Sequence, residues 1–253
     1  MNEKLDFSVN QRKGFFRTFD GPKGNPFRLA AAASAIAGAA LLGANVYGFT
    51  EYFTIPSGRG GWATVGMLNR LSLIFLVVLA VSLVVSGSGF RLLGKLKGDR
   101  LSSHKFSLVV ITGAVLLGVA VLVSVADNAY IDGGNGPYWW LCFFKNMETS
   151  YTFSWLTIIA IVLLGITQNL WGRTQLKPVG SPRRSKLQLI AGATQIFSGV
   201  AFLVAAATQI LMFPIFPIVI LFFPALAVLF LITQILSAAF FLQIPQANEL
   251  QKV

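Results

Sequence analysis

Residues 187–242 read LQLIAGATQIFSGVAFLVAAATQILMFPIFPIVILFFPALAVLFLITQILSAAFFL, an apolar stretch of 56 residues without one Asp, Glu, Lys, Arg or His. One helix needs about 20 residues to cross a ~30 Å hydrocarbon core. The stretch therefore holds two spans and must turn between them. Phe213-Pro214-Ile215-Phe216-Pro217 supplies the turn, because proline cannot donate an intrahelical hydrogen bond and its ring clashes with the preceding turn. Pro217 suits the first position of a new helix. The reading is a tight hairpin of spans Leu187–Met212 and Pro217–Leu242, with Pro224 kinking the second.

Working back from this hairpin, four more spans are predicted at about 29–50, 71–90, 106–126 and 151–171. The whole chain is 55% hydrophobic and only 11% charged, against the ~25% charge of a soluble domain. The expected fold is an all-α polytopic bundle of about six transmembrane helices, with a membrane domain over residues 29–242. A basic leader (1–28) and a short tail (243–253) flank it. The first apolar run starts only after 28 residues, so it reads as a retained anchor and not as a cleaved signal. Within the leader, Phe15, Phe16 and Phe19 lie on one helical side opposite Lys13 and Arg17. That pattern fits a short interfacial helix, and equally a polar tail.

Basic residues set the orientation. Seventeen Lys and Arg fall in the leader, the loops between spans two and three and between four and five, and the tail; the opposite side has only Arg59, Arg70 and Lys145. Both termini are expected in the cytoplasm. The formal charge of +11 is then a property of one membrane face. Short basic loops against an anionic leaflet attract acidic headgroups by roughly 1 kcal/mol per Lys or Arg, and Arg183, Arg184 and Lys186 are the expected contact. Nucleic acid is not an expected partner, since it requires a structured basic surface.

The centres of the spans carry no ionisable side chain, whereas proton relays and ion paths depend on such groups. The single histidine, His104, cannot make a multi-ligand metal site, and the single cysteine, Cys142, cannot form an internal disulfide. No catalytic residue, metal or cofactor is predicted; lipid is an expected companion, and a quinone or pigment stays open. The polar residues inside the spans are neutral. Thr194-Gln195, Thr208-Gln209 and Thr233-Gln234 recur in the last hairpin, and Thr167-Gln168 closes span four. Thr194, Ser198 and Thr208 step with Ala201 and Ala205 along one face of span five, which suits either close helix packing or a polar pore lining. Gln195 and Gln234 lie eight residues from the inner ends of their spans, ~12 Å deep at 1.5 Å per residue. They are expected to pair across the hairpin.

A final feature lies on the outer side, where Tyr138, Trp139, Trp140, Phe143 and Phe144 follow a Gly/Pro turn. Tyr and Trp favour the membrane boundary, so the cluster is an aromatic belt or an outer docking or ligand surface. Three functions fit these features. The first is a non-catalytic scaffold or accessory subunit, with other integral membrane subunits as partners. The second is a channel or facilitator for a neutral or hydrophobic solute. The third is a lipid-, quinone- or pigment-associated membrane protein.

Overall fold

The computed structural model describes residues 25–53, 61–131, 147–177, 186–211 and 217–244. These residues form six α-helices: α1 Pro26–Phe53, α2 Gly61–Leu96, α3 Ser102–Ile131, α4 Met147–Leu176, α5 Lys186–Leu211 and α6 Pro217–Leu242. Five of them contain stretches long and apolar enough to cross a membrane: Pro26–Val46, Leu73–Leu96, Ser102–Val121, Lys186–Thr208 and Pro224–Leu242. The chain is a multi-pass helical membrane bundle. The helices overrun the spans read from hydropathy; α2, with 36 residues, is roughly 54 Å long, well beyond the hydrocarbon core. Hydrophobic runs report the apolar depth, while backbone hydrogen bonding carries the helix on into the interface. The leader up to residue 24, the Phe213–Phe216 turn and the tail beyond Ile244 lie outside the described residues.

Local chemistry fixes the ends that are described. Asn25 accepts a hydrogen bond from the Phe27 N–H at 3.0 Å through Oδ1, a side-chain cap on the open end of α1. Pro26 takes the first helical position, as its preset φ favours. Pro217 likewise begins α6, and Pro224 lies inside it. Between α2 and α3 the chain reverses within Lys97–Leu101. Gly98 adopts φ +67°, which costs glycine nothing. Asp99 N–H then reaches back to Gly94 O and Gly98 N–H to Lys95 O, the paired closure of a glycine-ended helix. Asp99 Oδ1 next accepts from Leu101 N–H, so one aspartate ends α2 and begins α3.

Every sequential pair of helices packs together, and α1 also packs on α6, so the six close into a ring; α2 touches α4 across it. Neighbours are antiparallel, as paired contacts show: Gly43 meets Phe75 while Gly89 meets Ala30, and Gly38 meets Leu231 while Phe27 stacks near Phe241. Pro26, Leu96, Ser102, Leu176, Lys186 and Leu242 therefore lie at one end, called here the basic end because Lys95, Lys97, Arg100, Lys105, Arg173 and Lys177 gather there. Just inside it sits an aromatic layer. Phe90 stacks on Trp171 at 4.4 Å and meets Phe241 edge-on at 4.7 Å, and all three are buried with Phe27. Rings from α1, α2, α4 and α6 thus fill the ring's interior at this level.

Candidate functional site

Three glutamines meet in the bundle interior, one each from α4, α5 and α6. Gln168, Gln195 and Gln234 are all fully buried. Gln195 Nε2 donates to Gln168 Oε1 at 2.7 Å, and Gln234 Nε2 donates to the same oxygen at 3.2 Å. Ser237 Oγ donates to Gln195 Oε1 at 2.5 Å, and Gln175 Nε2 donates to Ser237 Oγ at 3.2 Å. Near the basic end, Gln188 Nε2 donates to the backbone oxygens of Gln175 and Lys177. A polar ladder therefore descends along α4, α5 and α6, past the aromatic layer. Gln168, Gln195 and Gln234 lie eight or nine residues inside their helix ends, roughly 12–14 Å deep.

The other helices contribute polar groups at a similar depth. Ser34 Oγ and Ser86 Oγ share a hydrogen bond at 2.6 Å between α1 and α2, and Thr112 and Thr167 share one at 3.2 Å between α3 and α4. All four are buried. Farther from the basic end, the described residues between α5 and α6 are apolar. Phe202 and Phe230 meet edge-on at 5.8 Å, with Leu164, Ala206 and Leu226 buried at the same end.

Helix α5 reaches α4 because both carry glycine on the shared face. A Cβ on Gly172 would lie 2.6 Å from Gly192 O, and one on Gly199 would lie 2.6 Å from Gly165 O. These two glycine levels bracket the Gln168–Gln195 bond. The α4 face runs Gly165, Gln168, Gly172, Gln175, and the antiparallel α5 face runs Gly199, Gln195, Gly192, Gln188. Glycine levels alternate with glutamine levels over about three helical turns. Close approach lets short interhelical hydrogen bonds form where no water competes.

Sequence reasoning placed the α5 contact on a neighbouring face. Of Thr194, Ser198 and Thr208, only Ser198 is fully buried. Thr194 donates to Ile190 O and Ala191 O, and Thr208 donates to Val204 O, all within α5. A threonine can satisfy its hydroxyl on its own helix, so it has no need of the contact, whereas a glutamine amide does. Gln195 and Gln234 both donate to Gln168 Oε1, so they are joined through a residue at the end of span four and not directly to each other. Gln175 lies beyond the apolar span 151–171, yet Thr174-Gln175 repeats Thr167-Gln168 seven residues later on the same face.

A second polar cluster holds the basic end. Asp99 is buried and pairs with Lys105 Nζ at 2.5 Å and Lys177 Nζ at 3.6 Å. Lys105 also donates to Thr174 Oγ1. Lys97 Nζ donates to Thr174 O at 2.9 Å and Gln175 O at 2.8 Å, setting a cation on the negative end of the α4 dipole. Burial alone would raise the Asp99 pKa. The Lys105 hydrogen bond, the Leu101 N–H and the charges of Lys105 and Lys177 outweigh it and hold the carboxyl below its ordinary range. The α2–α3 turn is thereby tied to the end of α4.

Lys186 opens α5 and is exposed, and His104 is exposed on the first turn of α3. Tyr138, Trp139, Trp140, Phe143, Phe144, Arg183 and Arg184 lie outside the described residues. Among the described residues, no three His, Cys, Asp or Glu side chains come together as a metal site would need. No protein-family model, curated protein or solved structure matches the chain.

Proposed function

We propose that the chain is a non-catalytic integral membrane scaffold, an accessory subunit of a larger membrane assembly. One observation carries this reading: the interior polar groups are directed from helix to helix. A single Gln168 oxygen gathers donors from α5 and α6, and the Ser34–Ser86 and Thr112–Thr167 bonds tie α1 to α2 and α3 to α4. Such a core stiffens a bundle and leaves the outward faces to lipid or to other subunits. Those faces are apolar, with Phe197, Val204, Ile232 and Ile235 exposed on α5 and α6. On this reading the basic end faces the cytoplasm, and Lys95, Arg100, Arg173 and Lys186, with Arg183 and Arg184, meet anionic lipid headgroups.

The test is purification from the native membrane in mild detergent, with identification of what travels with the protein. A stable complex with other integral membrane subunits supports the scaffold. A lone protein that conducts solute after reconstitution overturns it. The solute-facilitator reading has its own support in the unpartnered polar atoms of the ladder, Gln168 Nε2 and Gln234 Oε1 among them. The Phe202–Phe230 contact weighs against it, because a path would have to pass that apolar level. Flux of glycerol or urea into vesicles separates the two: the scaffold reading expects the rate of protein-free vesicles.

A further inference from the structure

Arg91 and Lys95 are the two charged residues of the apolar stretch Leu73–Leu96 on α2. Arg91 lies five residues inside its end, roughly 7.5 Å deep. A cation inside an apolar span calls for an anion, an aromatic face or a route to the interface. The Arg91 guanidinium sits 5.3 Å over the Phe106 ring of α3. Among the described residues no acceptor meets it. Its Nε is enclosed without a hydrogen-bond partner, and neither ion pair includes it. Its Nη groups are equally unpartnered but are not enclosed. Asp99, the one described carboxylate at the basic end, is held by Lys105 and Lys177.

The seam between α2 and α3 is marked by Gly87 against Val109 and Gly94 against Ser102, where an added Cβ would lie 2.7 Å and 2.9 Å from the facing side chains. Arg91 and Phe106 fall between these two levels. Lys95, one turn beyond Arg91, and Val110, one turn beyond Phe106, are both exposed. The Arg91–Phe106 pair therefore stands on the lipid-facing flank of the seam. Away from the basic end this flank is apolar. Val110 and Leu117 follow Phe106 by 4 and 11 residues, and Val77 precedes Arg91 by 14; all three are exposed. Such spacings return to one side of a helix, and they carry the flank inward by roughly 16 Å on α3 and 21 Å on α2.

We propose that this flank holds one anionic phospholipid, with its phosphate on Arg91 and Lys95 and an acyl chain along Val110, Leu117 and Val77. A guanidinium can present two N–H groups to one phosphate, and the Phe106 ring holds this one in place. Lys95 adds a second cation at i+4 on the same side. Two cations without a carboxylate between them favour a headgroup of net negative charge; the ammonium of a zwitterionic headgroup would meet Lys95. Such a site builds on the reading that headgroups meet the basic end. It is discrete and saturable, where the attraction of the other exposed cations is diffuse.

The test is native mass spectrometry of the full chain in detergent, titrated with dioleoyl phosphatidylglycerol or dioleoyl phosphatidylcholine. One phosphatidylglycerol should bind ahead of the rest and more tightly than any phosphatidylcholine. Arg91→Gln should weaken that first lipid about tenfold, the equivalent of one hydrogen bond to a charged group. Arg91→Lys keeps a cation over Phe106 and loses the fork, so it should fold normally and weaken the lipid less. Lys186→Gln, at the start of α5, should spare the first lipid and lower only the weaker ones that follow. Inorganic phosphate and dihexanoyl phosphatidylglycerol should fail to displace the dioleoyl lipid, because they lack the long chain. Equal losses in Arg91→Gln and Lys186→Gln would leave only diffuse attraction and overturn the proposal. So would equal affinity for phosphatidylcholine, or displacement by inorganic phosphate. A loss confined to Arg91→Gln, with Lys186→Gln silent at every lipid, would remove the diffuse contact and keep the site.

Discussion

Replacing Gly172 with alanine should unfasten α5 from α4. The added Cβ would lie 2.6 Å from Gly192 O and from Ile196 Cγ1, about 0.8 Å short of the 3.4 Å at which ordinary contact begins. The first obstacle is backbone, which cannot swing aside as a side-chain tip can, so the helices must part. Parting by that amount stretches the Gln195–Gln168 bond from 2.7 Å to about 3.5 Å, beyond useful hydrogen-bond length. Overpacking typically costs about 1–3 kcal/mol, and a membrane interhelical hydrogen bond adds ~0.6–2 kcal/mol. Alanine returns about 1 kcal/mol of helix propensity, which leaves a net loss of about 0.6–4 kcal/mol. Gly118→Ala is the matched control, because its Cβ would first meet Leu156 Cδ2 at an ordinary 3.8 Å. It should be neutral or slightly stabilising. Both variants can be compared by SDS-titrated unfolding in mixed micelles, followed by circular dichroism. Equal stability of Gly172→Ala and Gly118→Ala would show that the close α4–α5 approach is absent, and the reasoning built on it would fall.

Gln168→Met and Gln195→Met, alone and combined, should give a double-mutant coupling of ~0.6–2 kcal/mol in the same unfolding assay; strict additivity would show that the 2.7 Å bond contributes nothing. Asp99→Asn should lower stability by about 1–3 kcal/mol, since Lys105 and Lys177 lose a charged acceptor. The lowered Asp99 pKa fixes the pH dependence. The carboxylate's contribution is complete above the ordinary aspartate range near pH 4 and fades as pH falls through the lower folded value. Thermal stability of the wild type should therefore drop in acid more than that of Asp99→Asn, and parallel pH profiles would refute the lock. For topology, a membrane-impermeant thiol reagent should reach Cys142 from the non-cytoplasmic side and a cysteine placed at Ser181 from the cytoplasmic side; labelling of both from one side would invert or break the bundle.

The spans were legible because burial in lipid leaves no choice of composition: a 56-residue run free of charge cannot be anything but two crossings. The α2–α3 turn was legible in part, since a glycine followed by an aspartate is a stop signal joined to a start signal. That Asp99 would also bind Lys177, 78 residues later, was not, because ion pairing across helices depends on which helices are neighbours. The same limit applied to the glutamines. Their depth follows from counting residues at 1.5 Å each, so Gln195 and Gln234 could be set at one level. Rotation about each helix axis is not contained in that count. The sequence pattern treated α5 and α6 as a pair in isolation, whereas the closed ring puts α4 beside α5 and gives Gln168 the central position.

Alternation of glycine and glutamine does what neither residue does alone. A face of glycines lets two helices approach but leaves them free to slide, since one glycine level resembles the next. A face of glutamines holds a register but keeps the helices apart, and an amide that misses its partner in hydrocarbon is penalised. With Gly165, Gln168, Gly172 and Gln175 facing Gly199, Gln195, Gly192 and Gln188, a slip of three or four residues sets glycine against glutamine at the three levels that still face each other. A slip of seven rematches only two of the four levels. It also pulls Gln195 away from Ser237, which donates to it from α6. The third helix therefore removes the ambiguity that a seven-residue repeat leaves in the first two, and the ring must close for the register of any one pair to be unique.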